Sequence, residues 1–222
     1  MIQLWELKGR DDKRYSLFSW RTRMALKHKG LAFETHPVLM HDKKAIEFSG
    51  GKTVPILDDA GTVVRDSWKI AEYLEQKYPD RPLFGGAIGH GLTHQFNTWA
   101  DRVLLPAMLP VVVADIHDRA IDPADQGYFR ANFEKYVGKT LEEARAARPD
   151  AQKRLDRVLE PLAATLKRQP WVCGNAPAYG DYILFSHFQW ARTASPEDVL
   201  AAGTPLADWR SRMLDLYDGF AR

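Results

Sequence analysis

The sequence predicts an α/β domain followed by an all-α domain. Strand and helix patterns alternate over residues 1–82, and the turn-rich segment Pro82-Leu-Phe-Gly-Gly86 follows. From residue 88 to the end, apolar residues recur at helical spacing and strand patterns fade. We therefore predict a mixed sheet covered by helices in residues 1–82 and a helical bundle in residues 88–222.

The first domain has the predicted order β-α-β-α-β-β-α. Apolar and polar residues alternate in the first strand, Gly30 ends the first helix, and Asp58-Asp-Ala-Gly61 is a hairpin turn. Pro37 makes the second strand the least regular. The predicted elements are Ile2–Leu7, helix Ser19–Lys29, Leu31–Leu39, helix Asp42–Phe48, Val54–Leu57, Thr62–Val64 and helix Ser67–Tyr78.

The second domain contains only helix patterns. Thr204-Pro205 is typical of a helix start and introduces the last of them. The predicted helices are Leu92–His117, Tyr128–Arg148, Ala151–Arg168, Tyr182–Arg192 and Leu206–Tyr217.

Composition excludes several classes of function. A net charge of +2 over 222 residues gives no electrostatic basis for nucleic-acid binding. No apolar run approaches the roughly 20 residues of a membrane span, and no signal-peptide core opens the chain. The seven histidines lack metal-ligand spacing. The single cysteine, Cys173, excludes an internal disulfide and fits the cytoplasm, and its apolar neighbours predict a buried side chain.

Two adjacent features point to peptide binding. If the Val54–Pro55 bond is cis, the N–H and C=O of Val54 point outward and can pair with a bound peptide. Asp66-Ser67 stands at the start of a helix, where free N–H groups suit a carboxylate. Together they match the chemistry needed to bind glutathione.

The chain resembles the soluble glutathione transferases over essentially its full length. The resemblance rests on Val54-Pro55, on Asp66-Ser67 and on Gly174-Asn-Ala-Pro-Ala-Tyr-Gly-Asp181, and it implies a thioredoxin-like first domain. Ala178 departs from the Ser or Thr that usually caps a helix there, a loss of about 1 kcal/mol. Asp181 is expected to supply part of the missing cap.

The segment from Ser16 to Leu31 resembles the signature of serine-type members, with Leu17 in place of the usual proline. Together with Asp66-Ser67-Trp68 and the run from Tyr78 to Gly86, it is similar to the fungal FuA class and to bacterial β-etherases. This resemblance implies a cytoplasmic homodimer with glutathione as co-substrate.

The resemblance also implies roles for individual residues. Ser16 is the predicted activator of the glutathione thiol, with Ser19 as the rival hydroxyl and better N-cap, and Tyr15 as a third option. Asp66 would meet the γ-glutamyl amino group and Ser67 its carboxylate. Lys52 or Lys43 would meet the glycyl carboxylate, with Lys44 also close in sequence. Candidates for the second-substrate pocket, each also suited to a core, are Phe18, Trp20, Trp99, Met108, His117 and Phe129.

These expectations define one main function and two alternatives. The main function is attack of the glutathione thiol on a small aromatic electrophile, with cleavage of a β-aryl ether as a narrower hypothesis. A non-catalytic carrier of phenolic ligands is the first alternative. A thiol-disulfide enzyme is disfavoured, since that chemistry requires a cysteine where this chain has Ser16.

Overall fold

The computed structural model describes all 222 residues. Its N-terminal part contains a four-stranded sheet of order β2-β1-β3-β4, formed by β1 Ile2–Leu7, β2 Phe33–Val38, β3 Ile56–Asp59 and β4 Thr62–Arg65. Strand β2 runs parallel to β1, whereas β1–β3 and β3–β4 are antiparallel. The predicted mixed sheet is confirmed. Pro37 is tolerated because β2 lies at the edge of the sheet.

Two α-helices cover this sheet, α1 Leu17–Lys29 and α2 Ser67–Lys77. Helix α1 ends as predicted at Gly30, whose φ of 70° lies in the left-handed region that favours glycine. The short helix predicted at Asp42–Phe48 is instead a 3₁₀ helix, Lys44–Ser49.

The predicted start of α1 is wrong by two residues. The helix begins at Leu17, and Ser16 is its N-cap, with Oγ accepting a hydrogen bond from the N–H of Ser19 at 3.3 Å. Ser19 is therefore not the N-cap. The helix starts earlier because Ser16 already satisfies the free N–H of Ser19, and an apolar residue such as Leu17 is compatible with the first helical position.

The C-terminal part is helical throughout. Its α-helices are α3 Ala87–Trp99, α4 Leu105–Asp115, α5 Gln126–Val137, α6 Leu141–Ala146, α7 Arg148–Leu166, α8 Tyr179–Arg192 and α9 Pro205–Gly219. The helix predicted at Tyr128–Arg148 divides into α5 and α6, because Gly138 takes a φ of 70° and ends the first of them. None of the helices is long and apolar enough to cross a membrane.

One long helical column runs from Ala87 to Ala120. It contains two π-helical turns, Ala100–Leu104 and Ile116–Ala120, which flank α4. The N–H of Leu105 donates to the carbonyl of Ala100, one residue farther back than in an α-helix. The helix predicted at Leu92–His117 is confirmed in position and is longer at both ends.

A buried ion pair joins the two parts of the chain. Arg21 of α1 is almost fully buried, and its guanidinium donates to Asn97 Oδ1 at 2.9 Å and to Asp101 Oδ1 at 2.7 Å. A longer bond of 3.4 Å reaches Ser186 of α8. A single arginine thus ties α1 to both α8 and the long column, which fixes α1 relative to the helical part.

The start of α8 depends on Asp181, as expected from the absence of a capping side chain at Ala178. Asp181 is fully buried and accepts a hydrogen bond from the N–H of Ala178 at 3.2 Å. It also accepts from the N–H groups of Val172 and Cys173 and from Trp209 Nε1, at 2.7–3.1 Å. Its carboxylate therefore organises both the helix start and the preceding turn.

Restoring a capping side chain should stabilise this helix. Ala178 already has the extended backbone of an N-cap, with φ of −142° and ψ of −169°. We expect Ala178→Ser to raise the free energy of unfolding by about 0.5–1 kcal/mol, since its hydroxyl can accept a free N–H of the first turn. Urea unfolding measures the change. Ala178→Val is the matched control and should give no gain; an equal gain in both variants would contradict capping.

Candidate active site

A cavity of about 350 Å³ lies between the start of α1, the end of β2 and the start of α2. It brings together eight of the residues that the sequence singled out for thiol activation, glutathione binding and electrophile binding. They are Ser16, Phe18, Lys43, Lys52, Val54, Pro55, Asp66 and Ser67. The other lining side chains are mainly apolar and include Leu7, Val38, Leu39, Met40 and Ile46.

Ser16 faces this cavity from the N-terminus of α1. The residue is 8% exposed, and its hydroxyl oxygen accepts from the N–H of Ser19. The hydroxyl makes no other hydrogen bond within the chain, so its proton is free to donate to a group in the cavity. The partial positive charge of the helix N-terminus acts at the same place and favours an anion.

The two rival hydroxyls lie outside the cavity. Ser19 is 1% exposed, and its buried Oγ has no hydrogen-bond partner. The hydroxyl of Tyr15 is also buried without a partner. Burial, together with the nearby carboxylates of Asp125 and Asp122, raises the pKa of Tyr15 above its usual range. Neither group is placed to contact a molecule bound beside Ser16.

The main chain at Val54 offers a free edge to the cavity. The Val54–Pro55 peptide bond is cis, one of the two forms open to a bond before proline. Neither the N–H nor the C=O of Val54 forms a hydrogen bond within the chain. The carbonyl of Pro55 accepts from the N–H of Asp66 at 3.3 Å, which joins this segment to the start of α2.

Asp66 is the N-cap of α2. Its Oδ1 accepts from the N–H groups of Trp68 and Lys69 at 3.0 and 3.1 Å, and Oδ2 makes no hydrogen bond within the chain. Asp66 has a φ of 78°, in the region that favours glycine, which costs about 1–3 kcal/mol and is common at ligand-binding sites. Its exposed carboxylate can therefore accept a cationic group.

Ser67, the first residue of α2, is buried and presents its N–H and hydroxyl without partners in the chain. Its carbonyl accepts from the hydroxyl of Tyr179 at 2.8 Å. Tyr179 begins α8 and is fully buried, so a residue of the helical part positions Ser67 at this end of the cavity. No sequence pattern pointed to Tyr179, because the contact joins positions 112 residues apart.

The candidate lysines differ in their contacts. The ammonium group of Lys43 donates to the carbonyl of Met40 at 2.5 Å and lies 5.4 Å from the centre of the Tyr128 ring. Lys52 is exposed and forms no ion pair or hydrogen bond within the chain. Lys44 is exposed and does not line the cavity. Lys52 is therefore the cation most available to a bound anion.

Most of the aromatic candidates for the second substrate lie away from the cavity. Phe18 lines it. Trp20 and Met108 are buried in the main core, and Trp99 stacks on Phe96 with ring centres 5.4 Å apart. His117 pairs with Asp118 at 2.7 Å and lies beside Phe129. For these five candidates, contacts within the chain account for the position that the structure gives them.

A separate apolar cavity of about 510 Å³ was not anticipated from the sequence. It begins at Leu17, the neighbour of Ser16, and lies among α4, α5 and α6. Aromatic and aliphatic side chains dominate its lining, which includes Leu105, Leu109, Phe133, Tyr136, Val137 and Trp190. Leu105 and Leu109 gave only a helix pattern in the sequence, and Leu17 lay outside the predicted first helix, so no signal pointed to a cavity.

Cys173 is exposed as a residue, so its predicted burial is wrong. It lines a third cavity, of about 680 Å³, at the junction of the two parts. Its sulfur packs against Gly180, where an added β-carbon would lie only 2.7 Å away. Desolvation of the sulfur and the nearby Asp181 carboxylate raise the pKa of the thiol to about 12, so it stays protonated at neutral pH.

The chain matches two protein-family models. One describes the glutathione S-transferase N-terminal domain and matches residues 15–77. The other describes the glutathione S-transferase C-terminal domain and matches residues 91–211. The second match alone spans more than half of the chain.

Solved structures of this family superpose on the whole chain. Glutathione transferase GSTFuA3 from Phanerochaete chrysosporium is 27% identical, with a TM-score of 0.78 over 98% of this chain and 92% of that one. A glutathione S-transferase of Ceriporiopsis subvermispora, crystallised with glutathione, gives a TM-score of 0.79 at 23% identity and the same coverages. The predicted thioredoxin-like domain followed by a helical domain is confirmed.

Curated relatives are also glutathione S-transferases or similar to them, but they match different lengths of this chain. Glutathione S-transferase Z1 of Arabidopsis thaliana is 43% identical over 70 residues, which are 28% of this chain and only 31% of that relative. The glutathione S-transferase-like protein ustS of Aspergillus flavus is 22% identical over 205 residues, covering 77% of this chain and 72% of its own. From the family models and the fold together, the chain belongs to the glutathione S-transferase family.

Proposed function

We propose that this protein is a serine-type glutathione transferase that attacks a small aromatic electrophile with the glutathione thiol. One observation carries the proposal: the free proton of the Ser16 hydroxyl faces the cavity that also contains the unpaired main chain of Val54 and the start of α2. A hydrogen-bond donor for a thiolate and a peptide-binding edge therefore occur in one small volume.

Each part of glutathione has a complementary group in this proposal. Its cysteinyl N–H and C=O pair with the free C=O and N–H of Val54, as strands pair in a sheet. The γ-glutamyl carboxylate accepts hydrogen bonds from the N–H and the hydroxyl of Ser67 at the N-terminus of α2. The γ-glutamyl ammonium meets the unpaired Oδ2 of Asp66.

Ser16 acts on the thiol. A free thiol has a pKa of about 8.5, and the thiolate is the nucleophile. The Ser16 hydroxyl donates a hydrogen bond to the sulfur, while the N–H of Ser19 polarises that hydroxyl and the helix N-terminus supplies positive potential. These effects lower the pKa of the bound thiol and raise the thiolate fraction at neutral pH.

We propose the apolar cavity that begins at Leu17 as the site for the electrophile, together with Phe18 on the glutathione side. Its volume of about 510 Å³ suits a one- or two-ring compound. Its aromatic lining favours an aromatic electrophile.

The narrower proposal is cleavage of a β-aryl ether. The thiolate forms a bond to the carbon that bears the ether oxygen, the carbon–oxygen bond breaks, and the phenolate leaves and takes a proton from solvent. This proposal rests on the similarity of the Ser16–Leu31 and Tyr78–Gly86 motifs to those of β-etherases.

The deciding experiment combines binding and turnover. Calorimetry with glutathione tests the cavity, and a panel of aryl ethers and activated aryl halides tests the chemistry. Glutathione-dependent product formation supports the transferase. Binding of phenolic compounds with no glutathione-dependent product from any member of the panel would favour a carrier, and a chain that does not bind glutathione would contradict the main proposal.

Removing the cation at position 52 should weaken glutathione binding. We expect Lys52→Ala to raise the KM for glutathione by up to about fivefold, because an exposed ion pair with the glycyl carboxylate contributes at most about 1 kcal/mol. The kcat should stay within twofold, as roughly expected for uniform binding. Lys44→Ala is the matched control, since Lys44 is exposed but does not line the cavity. Equal effects of the two variants would point to general surface charge instead.

We further propose a cytoplasmic homodimer. A chain with a single cysteine cannot form an internal disulfide, which fits the reducing cytoplasm. Ile88 and Leu92 lie one turn apart on α3 and are 82% and 64% exposed, an apolar surface suited to a second copy. Light scattering on the purified protein measures the mass directly.

A further inference from the structure

Asp125 is a fully buried carboxylate at the start of α5, and its hydrogen bonds go to a distant part of the chain. Although it occupies the N-cap position of α5, it forms no capping hydrogen bond there. Its Oδ2 accepts instead from the N–H of Met40 at 2.7 Å. Its Oδ1 accepts from the N–H of His41 at 2.9 Å and lies 2.5 Å from Nδ1 of the His41 ring.

These contacts hold a segment of the glutathione cavity. Residues 39–43, here called the 39–43 loop, connect β2 to the 3₁₀ helix, and Leu39, Met40 and Lys43 line the cavity. Within the loop, the other hydrogen bonds are local turns, such as the N–H of Asp42 to the carbonyl of Leu39. Every hydrogen bond from the loop to a distant part of the chain ends on Asp125.

The contacts also reach the cationic end of the loop. Asp125 accepts from the N–H of His41, and the same peptide unit carries the Met40 carbonyl, which accepts from the ammonium group of Lys43. Hydrogen bonds to a charged acceptor are stronger than neutral ones and are costly to lose in a buried setting. The helical domain therefore determines where one side of the cavity lies.

We propose that Asp125 is a positioning residue for glutathione: from the helical domain it holds the 39–43 loop in the conformation that receives the glycyl end of the peptide. The proposal rests on the proposed function of the cavity. Asp125 does not contact the thiol, so its effect falls on glutathione binding and not on the chemical step.

The first test is the steady-state kinetics of Asp125→Asn with an activated aryl halide. The amide keeps the size of the side chain but turns a donor towards main-chain N–H groups. We expect the KM and the calorimetric Kd for glutathione to rise about tenfold, with kcat at saturating glutathione within twofold. Asp122→Asn is the matched control: Asp122 caps the preceding 3₁₀ turn, a role that asparagine also performs, and does not contact the loop.

A milder variant keeps the proposal testable if Asp125→Asn folds poorly. His41→Gln removes the imidazole but leaves both main-chain hydrogen bonds to Asp125, so the KM for glutathione should rise about two- to threefold. Unchanged KM and Kd in both variants would overturn the proposal. So would a loss of kcat at saturating glutathione with no change in KM.

Hydrogen exchange in the free protein separates this proposal from the function of the cavity. Amides of the 39–43 loop should exchange faster in Asp125→Asn than in the unmodified protein, with no matching change at the start of α2. Unchanged loop exchange would overturn the role of Asp125 even if glutathione binds. If the unmodified protein fails to bind glutathione, the proposed function fails, and the exchange result still decides whether Asp125 holds the loop.

Discussion

Replacing Ser16 by alanine is expected to lower kcat/KM for glutathione conjugation by about 10- to 100-fold while the protein stays folded. A hydrogen bond to a charged group contributes about 1.5–3 kcal/mol, and each 1.4 kcal/mol changes a rate tenfold. The loss should appear in kcat at pH 7, since the hydroxyl stabilises the thiolate and contributes little to holding the peptide. The KM for glutathione should change by less than about threefold.

The pH dependence of the same variant provides an independent signature. The hydroxyl favours the charged form of the thiol, so removing it should raise the pKa of bound glutathione by about one to two units. Activity then falls at neutral pH and recovers as the pH rises towards the new pKa. Thiolate absorbance of the binary complex, measured against pH, reports the shift directly. Equal thiol pKa values in both proteins would contradict thiolate stabilisation by Ser16.

Ser19→Ala is the control for this experiment. Ser19 lies in the same helix turn, but its hydroxyl is buried, unpartnered and outside the cavity. Its N–H, which donates to Ser16, is retained in alanine. We expect kcat/KM within twofold of the unmodified protein. A loss in Ser19→Ala as large as that in Ser16→Ala would assign the activating role to Ser19 or to the helix start as a whole.

The parts of the site that were predictable from the sequence are those with local signals. Val54-Pro55 and Asp66-Ser67 each stand at the edge of a strand or helix pattern, so their positions in the cavity followed from the order of elements. Ser16 was named, although the helix start was placed at Ser19. That error arose because Leu17 reads equally well as loop or helix, and only the N-cap hydrogen bond distinguishes the two.

The rest of the site depends on contacts between distant positions. Asp125 precedes a helix and so has the pattern of an ordinary N-cap, yet its partners lie 84 and 85 residues away. The Tyr179 hydroxyl reaches Ser67 across the domain junction. Periodicity cannot report such pairs, because it identifies which face of a helix is buried and not what that face contacts. The apolar cavity beside Leu17 was missed for the same reason.

Asp181→Ala should have the largest effect on stability, with a loss of about 3–5 kcal/mol in the free energy of unfolding. Asp181 is fully buried and accepts four hydrogen bonds, from the main-chain N–H groups of Val172, Cys173 and Ala178 and from Trp209 Nε1. Alanine would leave these donors without a partner, and each buried unpaired donor costs about 1–3 kcal/mol. Urea unfolding measures the loss, and thermal unfolding should show a Tm lower by roughly 10 °C.

Two further variants show why the carboxylate matters. Asp181→Asn keeps the shape and one acceptor oxygen but presents N–H donors to N–H donors, so it should lose about half as much stability as alanine or more. Asp208→Ala is the matched control, because Asp208 is an exposed aspartate in the first turn of α9 and contributes under about 1 kcal/mol there. A Tm for Asp181→Ala close to that of Asp208→Ala would mean that water replaces the carboxylate. In that case Asp181 would not be the group that compensates for the absent cap at Ala178.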